Sequence, residues 1–134
     1  MDNMTLEAKC EQFITVVLCE PGKEACVTTI PNDLESLQKT VGGYIEAIYP
    51  FDDPVALICN EEGKLNNMEL NRALRDESGQ IYDILTGPFF LAGLGDEDFT
   101  SLSKVLQQKY YKMFKRPEMF LWDGNQIRVV SIEM

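Results

Sequence analysis

Histidine is absent from the 134 residues, and with it the side chain that most often serves as catalytic base or metal ligand near neutral pH. Serine-histidine and cysteine-histidine nucleophiles are therefore excluded. Cysteine is sparse: Cys10, Cys19, Cys26 and Cys59 are 9, 7 and 33 positions apart, with no Cys-x-x-Cys spacing to hold zinc. Reduced thiols are expected. No apolar run approaches the roughly 20 residues that span a bilayer, and Met1-Asp2-Asn3-Met4 carries no basic cluster of a signal peptide. These absences point to a cytoplasmic protein without a membrane, metal or cofactor, acting by contact rather than turnover.

Apolar residues make up 45% of the chain and charged residues 25%, the usage of a globular domain and not of a disordered one. Residues 1–11 are polar and unpatterned and read as an arm; residues 12–134 read as a single α+β domain. The net charge of −10 is unevenly spread: residues 1–98 hold 19 acids and 6 bases, residues 99–134 only 3 acids and 6 bases. The acidic body repels nucleic-acid phosphates, which disfavours direct binding to DNA or RNA and leaves a protein partner as the expectation, with a homodimer open.

The pattern predicts a mainly antiparallel sheet built from hairpins. Phe13 to Glu20 is β-branched and apolar, Pro21-Gly22 sets a turn, and Cys26 to Ile30 returns. A four-residue loop from Pro21 to Glu24 would set Cys19 opposite Cys26, either as two small core residues or as a redox pair. Asn32 with Glu35 has the spacing of a helix cap, Leu34, Leu37 and Val41 recur at helical intervals, and Gly42-Gly43 supplies a stop, so a short helix is expected over 33–41. Tyr44 to Phe51 and Val55 to Asn60 flank Asp52-Asp53-Pro54 as a hairpin. Asn60 to Gly63 and Asp76 to Gly79 share the turn grammar of Asx first and glycine fourth.

The second of these turns should join strands near Leu70–Arg75 and Gln80–Leu85, although Asn66 with Glu69 could cap a helical turn there. The apolar run Phe89 to Leu94 suits a buried strand. A helix over about 103–115 ends before Pro117. At 100° per residue it places Leu106, Tyr110, Met113 and Phe114 on an apolar side and Lys104, Lys109, Lys112, Lys115 and Arg116 on a basic arc. That arc is either a solvated face or a site for an acidic protein surface, with Tyr111, Phe120 and Trp122 as a neighbouring aromatic patch or core. A last hairpin, Met119–Trp122 with Ile127–Ile132, turns through Asp123-Gly124.

Familiar chemistry is hard to place on this pattern. The paired acids (Asp52/Asp53, Glu61/Glu62, Asp76/Glu77, Asp96/Glu97/Asp98) sit in predicted turns, where carboxylates bond the local backbone. A calcium loop begun at Asp96 would need glycine where Ser101 stands and an acid where Gln107 stands, so this cluster reads as a cap for the following helix. Gly63-Lys64 lacks the Walker spacing, and Gly93-Leu94-Gly95 is followed by Asp98 where a third dinucleotide-binding glycine belongs.

The blocks Val41-Gly-Gly-Tyr-Ile-Glu46, Asn60-Glu-Glu-Gly-Lys-Leu65, Asn71-Arg-Ala-Leu74 and Gly93-Leu-Gly-Asp-Glu-Asp-Phe-Thr-Ser-Leu102 resemble the domain-of-unknown-function family numbered 3846, met in phages and conjugative elements of Gram-positive bacteria. The resemblance spans about residues 13–132 and implies an accessory protein of a mobile element. Where its blocks converge, Tyr44, Glu46, Asn60, Glu61, Asn71 and Arg72 could together hydrogen-bond a polar ligand or peptide. The plainer account is that Asn60 and Gly63 make a turn, Arg72 pairs with Glu46 or Glu61, and Tyr44 packs. Three readings of function follow: a non-catalytic protein-binding or regulatory domain, an acidic DNA mimic that blocks host nucleases, and a pocket or enzyme for a small metabolite.

Overall fold

The computed structural model describes residues 12–132; the arm read at residues 1–11, with Cys10, lies outside them. The fold is α+β, with antiparallel sheets. In chain order the elements are β1 (Phe13–Cys19), β2 (Cys26–Pro31), α1 (Leu34–Val41), β3 (Ile45–Ile48), β4 (Val55–Asn60), β5 (Leu70–Arg75), β6 (Ile81–Thr86), β7 (Phe89–Leu94), β8 (Phe99–Thr100), α2 (Lys104–Phe114), β9 (Glu118–Trp122) and β10 (Ile127–Ser131). The main sheet runs β2-β1-β7-β4-β3, with β8 pairing the end of β7; β5-β6 and β9-β10 form two separate ribbons.

The apolar pattern of the central strands follows from a sheet covered on both faces. Val55, Leu57 and Cys59 of β4 and Phe89 and Leu91 of β7 point to one core, closed by Tyr110 and Phe114 of α2 and by Leu74 and Leu85 of the β5-β6 ribbon. The alternate residues Ala56, Ile58, Phe90 and Ala92 point to the other, closed by Leu37 and Val41 of α1. Neither β4 nor β7 has a solvent side, so neither shows the polar alternation of a half-exposed strand. Close approach also fixes Gly93, where an added Cβ would stand 2.7 Å from the Ser101 carbonyl oxygen.

Several local details depart from the sequence pattern. The cap of α1 is Asp33, one residue after the expected Asn32: its carboxylate accepts from the Ser36 amide at 2.7 Å. Asn32 instead donates to the Phe99 carbonyl oxygen at 3.1 Å and so ties the helix entry to β8. The acids at 96–98 do not cap α2; Ser103 does, accepting from the Leu106 amide, while Asp98 bonds the Phe99 amide beside it. Met113 turns outward at 50% exposure instead of joining Tyr110 and Phe114 in the core, because the sheet covers a narrower stripe of the helix than the helical wheel allows.

The β1-β2 register also differs by one residue. Cys26 lies opposite Leu18, not Cys19, so the two thiols point to opposite faces of the sheet; Cys19 is buried, Cys26 is exposed, and both are free. Burial pushes the Cys19 thiol up to about 12, against a smaller pull from Arg72, and the Cys59 thiol up to about 11. A thiol so protonated and so enclosed is a poor nucleophile. In a Cys10→Ser background, alkylation of the native protein should therefore modify Cys26 alone, with Cys19 and Cys59 reacting only after unfolding, as mapped by peptide mass spectrometry. Labelling of Cys19 at the rate of Cys26 would contradict this register.

Candidate functional site

The six residues picked out where the sequence blocks meet fall into two places. Tyr44, Glu46, Asn60 and Glu61 stand at the paired ends of β3 and β4. Here Asn60 is buried, donates to the Val41 carbonyl oxygen at 3.2 Å and accepts from the Glu62 amide at 2.7 Å. Its amide fits because Gly43 has no Cβ; one would lie 2.7 Å from the Asn60 nitrogen. Asn60 and Gly63 thus close a turn against the end of α1, and the Glu61 amide donates to the Tyr44 carbonyl oxygen. The Tyr44 ring does not pack: it is 69% exposed. Beside this turn lies a small hollow of about 190 Å³ reaching Glu46, Lys64 and Asp83, below the roughly 300 Å³ at which small-molecule sites begin.

Asn71 and Arg72 are elsewhere, inside the protein at 0% and 1% exposure. A bulge in β5 between Leu70 and Arg72 breaks the strand alternation, so two consecutive polar side chains both reach the interior. Asn71 donates to the carbonyl oxygens of Cys19 at 3.0 Å and Gly87 at 2.8 Å. Arg72 pairs with neither Glu46 nor Glu61. Its guanidinium donates to the carbonyl oxygens of Phe114 at 3.1 Å and Lys23 at 2.7 Å and to the Asn71 side-chain oxygen at 2.8 Å. One cation thereby joins β5, the last turn of α2 and the β1-β2 loop.

Above that junction runs an open groove of about 1010 Å³ between α2, the β5-β6 ribbon and the β3-β4 loop. Its lining includes Arg72, Arg75, Lys109, Lys112, Lys115 and Arg116, six of the chain's 12 basic residues. Lys104 of the expected basic arc lies outside it. Arg75 reaches Glu118 at 3.0 Å, Lys109 reaches Asp53 at 2.6 Å and Lys115 sits over the Tyr111 ring. Lys112 is exposed and has no ion-pair partner among the described residues. Tyr82 and Met113 add exposed apolar surface to the same groove, whose lining also includes Phe51 and Tyr110, their rings tilted against each other with centroids 4.8 Å apart. Of the aromatic patch expected near the helix, Trp122 is 68% exposed, and Phe120 and Tyr111 are half-buried.

Residues 14–115 match the model of DUF3846, a domain of unknown function. The chain belongs to this family. No curated protein and no solved structure matches it. The matched stretch of the DUF3846 chain carries β1 through α2, and so both long walls of the groove, whereas the β9-β10 ribbon lies beyond it. No group of three or more Cys, Asp or Glu among the described residues is placed to hold a metal ion, and none of their helices is long and apolar enough to cross a membrane.

A cluster that the sequence did not reveal borders the groove. The Asp53 carboxylate accepts from Lys109 Nζ and from the Tyr110 hydroxyl, both at 2.6 Å, short as expected for charge-assisted bonds. Lys109 and then Tyr110 hold the Asp53 carboxyl below the usual 3.8; burial, then Asp53, pushes the Tyr110 phenol up. The cluster locks α2 to the β3-β4 loop and leaves its hydroxyl no proton to trade near neutral pH. A carboxyl whose folded pKa is depressed stabilises the fold above its unfolded value and loses that contribution as pH falls through the folded one. Asp53→Asn should therefore flatten the fall in melting temperature on acidification below about pH 4. Melting curves that stay parallel to those of the native sequence throughout the acid range would show the cluster to be idle.

Proposed function

We propose that this DUF3846 protein is a non-catalytic binding module that takes an acidic, partly apolar segment of a protein partner into the groove along α2. The observation that carries this reading is that five exposed cations, Arg75, Lys109, Lys112, Lys115 and Arg116, line one groove of a protein with net charge −10. Unpaired Lys112 stands there beside exposed Met113 and Tyr82. Lysines supply attraction and orientation, and the apolar side chains supply area. A peptide suits the groove better than a nucleic acid, because Asp52, Asp76 and Glu77 share its rim and would repel an unbroken line of phosphates.

The absence of imidazole, together with thiols and a phenol held protonated by burial, speaks for binding without turnover. DNA mimicry requires an array of free carboxylates at phosphate-like spacing, and Asp53, Asp83, Asp123 and Glu118, each bonded to a cation within the fold, are not available to it. In the setting that the family resemblance implies, the module would be a cytoplasmic accessory protein of a mobile element that regulates an acidic partner.

Fluorescence anisotropy with a labelled peptide of alternating Glu and Leu tests the proposal. Saturable binding should weaken as salt rises, and Lys112→Glu should reduce affinity about fivefold to tenfold. Lys39→Glu, an identical charge change on α1 across the sheet, should leave it unaltered. The proposal fails if the peptide does not bind, if both substitutions act equally, or if a single-stranded oligonucleotide binds more tightly than the peptide.

A further inference from the structure

The β9-β10 ribbon is the least covered part of the DUF3846 protein. Met119, Leu121, Trp122, Ile127 and Val130 are 41% to 68% exposed, although they belong to a regular antiparallel pair. Pairing gives each face a defined composition: Trp122 with Ile127 and Phe120 with Val129 on one, Leu121 with Arg128 and Met119 with Val130 on the other. A two-stranded ribbon with apolar residues on both faces is marginal by itself. Its inner side is anchored through Glu118, whose carboxylate accepts from the Ala73 amide at 2.8 Å and meets Arg75.

The outer side, β10, pairs with no further strand among the described residues. The bonds from the Ile132 amide to the Pro117 carbonyl and from the Asp123 amide to the Gln126 carbonyl fix the ladder alternation. The backbone groups of Ile127, Val129 and Ser131 consequently face outward. Among the described residues nothing guards this edge: β10 contains no proline and one charge, Arg128.

We infer that β10 is a self-pairing edge, joining a second copy of the chain antiparallel about Val129. The strand is self-complementary in that register. Val129 meets its own counterpart, Ile127 meets Ser131 of the other copy, and Arg128 meets Val130, so no like charges face each other. Two ribbons become one four-stranded sheet, and the Phe120, Trp122, Ile127 and Val129 surface doubles into a continuous apolar face. Charge selects this place on the molecule. The chain as a whole carries net −10 and repels its own copies, whereas on the ribbon Glu118 is paired with Arg75 and Asp123 with Arg128. A second copy can approach here without opposing bare carboxylates. One pair of five-residue strands is a small contact beside the roughly 1,200 Å² of a standard interface, so a weak dimer is expected.

Sedimentation equilibrium on the full chain tests the inference. Average mass should rise toward that of a dimer with concentration and, because screening relieves repulsion between the bodies, with salt. That salt dependence is opposite to the one expected of peptide binding in the groove. Val130→Lys sets like charges against Arg128 of the other copy on both sides of the axis and should leave a monomer. Val130→Glu offers Arg128 a partner and should shift dimerisation to lower concentration. General repulsion predicts the reverse order, since lysine reduces and glutamate increases the net negative charge. Val130 is 48% exposed and without a core role, and matched circular dichroism would confirm that both variants fold. Native protein that stays monomeric at every concentration and salt, or two variants that dimerise alike or in the reverse order, would overturn the inference.

Discussion

The Arg72 guanidinium is the point at which three parts of the chain that share no strand pairing are held together. It is 1% exposed and bonded to neutral oxygens instead of a carboxylate: Phe114 at the end of α2, Lys23 in the β1-β2 loop and Asn71 beside it. Burying a cation costs several kcal/mol, and hydrogen bonds to a charged group return about 1.5 to 3 kcal/mol each. The arrangement is stabilising only while all the acceptors are in place. The Phe114 carbonyl also lies at the negative end of the α2 dipole, where a cation is favoured. Desolvation pulls the guanidinium pKa down without bringing an arginine near neutrality at ordinary pH.

This junction positions the groove. With Arg72 below and Asp53 holding Lys109 and Tyr110 at the other end, α2 is fixed at both its middle and its terminus over the face made by β4 and β7. Lys112 is thereby held along the groove. Some of the acids are held in turns, caps and this lock, and a protein that is strongly anionic overall carries five exposed cations along this one groove.

Much of the fold was legible because its punctuation is chemical. Gly79 and Gly124 occupy positive φ in the hairpins that their turn residues announce, Gly42 at φ 82° ends α1, and the apolar runs of β4 and β7 lie where a doubly covered sheet requires them. Finer details were not legible. The cap moved from Asn32 to Asp33 and Cys19 slipped out of register with Cys26, because a neighbouring residue of similar chemistry or a loop one residue longer leaves the same pattern. The partners of Arg72 are backbone carbonyls 42 and 49 positions away, and every residue has such a carbonyl, so no sequence signal marks them. Asp53 likewise looks like one more turn acid until the chain brings Lys109 and Tyr110 to it. The residues read as a site were noticed for their polar character, and the bulge in β5 explains why two of them, Asn71 and Arg72, are structural ties inside the protein.

The dependence of the fold on the buried guanidinium is tested most directly by urea unfolding of Arg72→Lys and Arg72→Met, with amide exchange followed over the last turn of α2. Lysine keeps the charge but lacks the fork, and methionine keeps the volume but leaves the carbonyls bare. Each should cost about 3 kcal/mol and expose the α2 terminus to exchange before the central strands open. Stabilities within about 0.5 kcal/mol of the native sequence, with the α2 terminus still protected, would contradict the account.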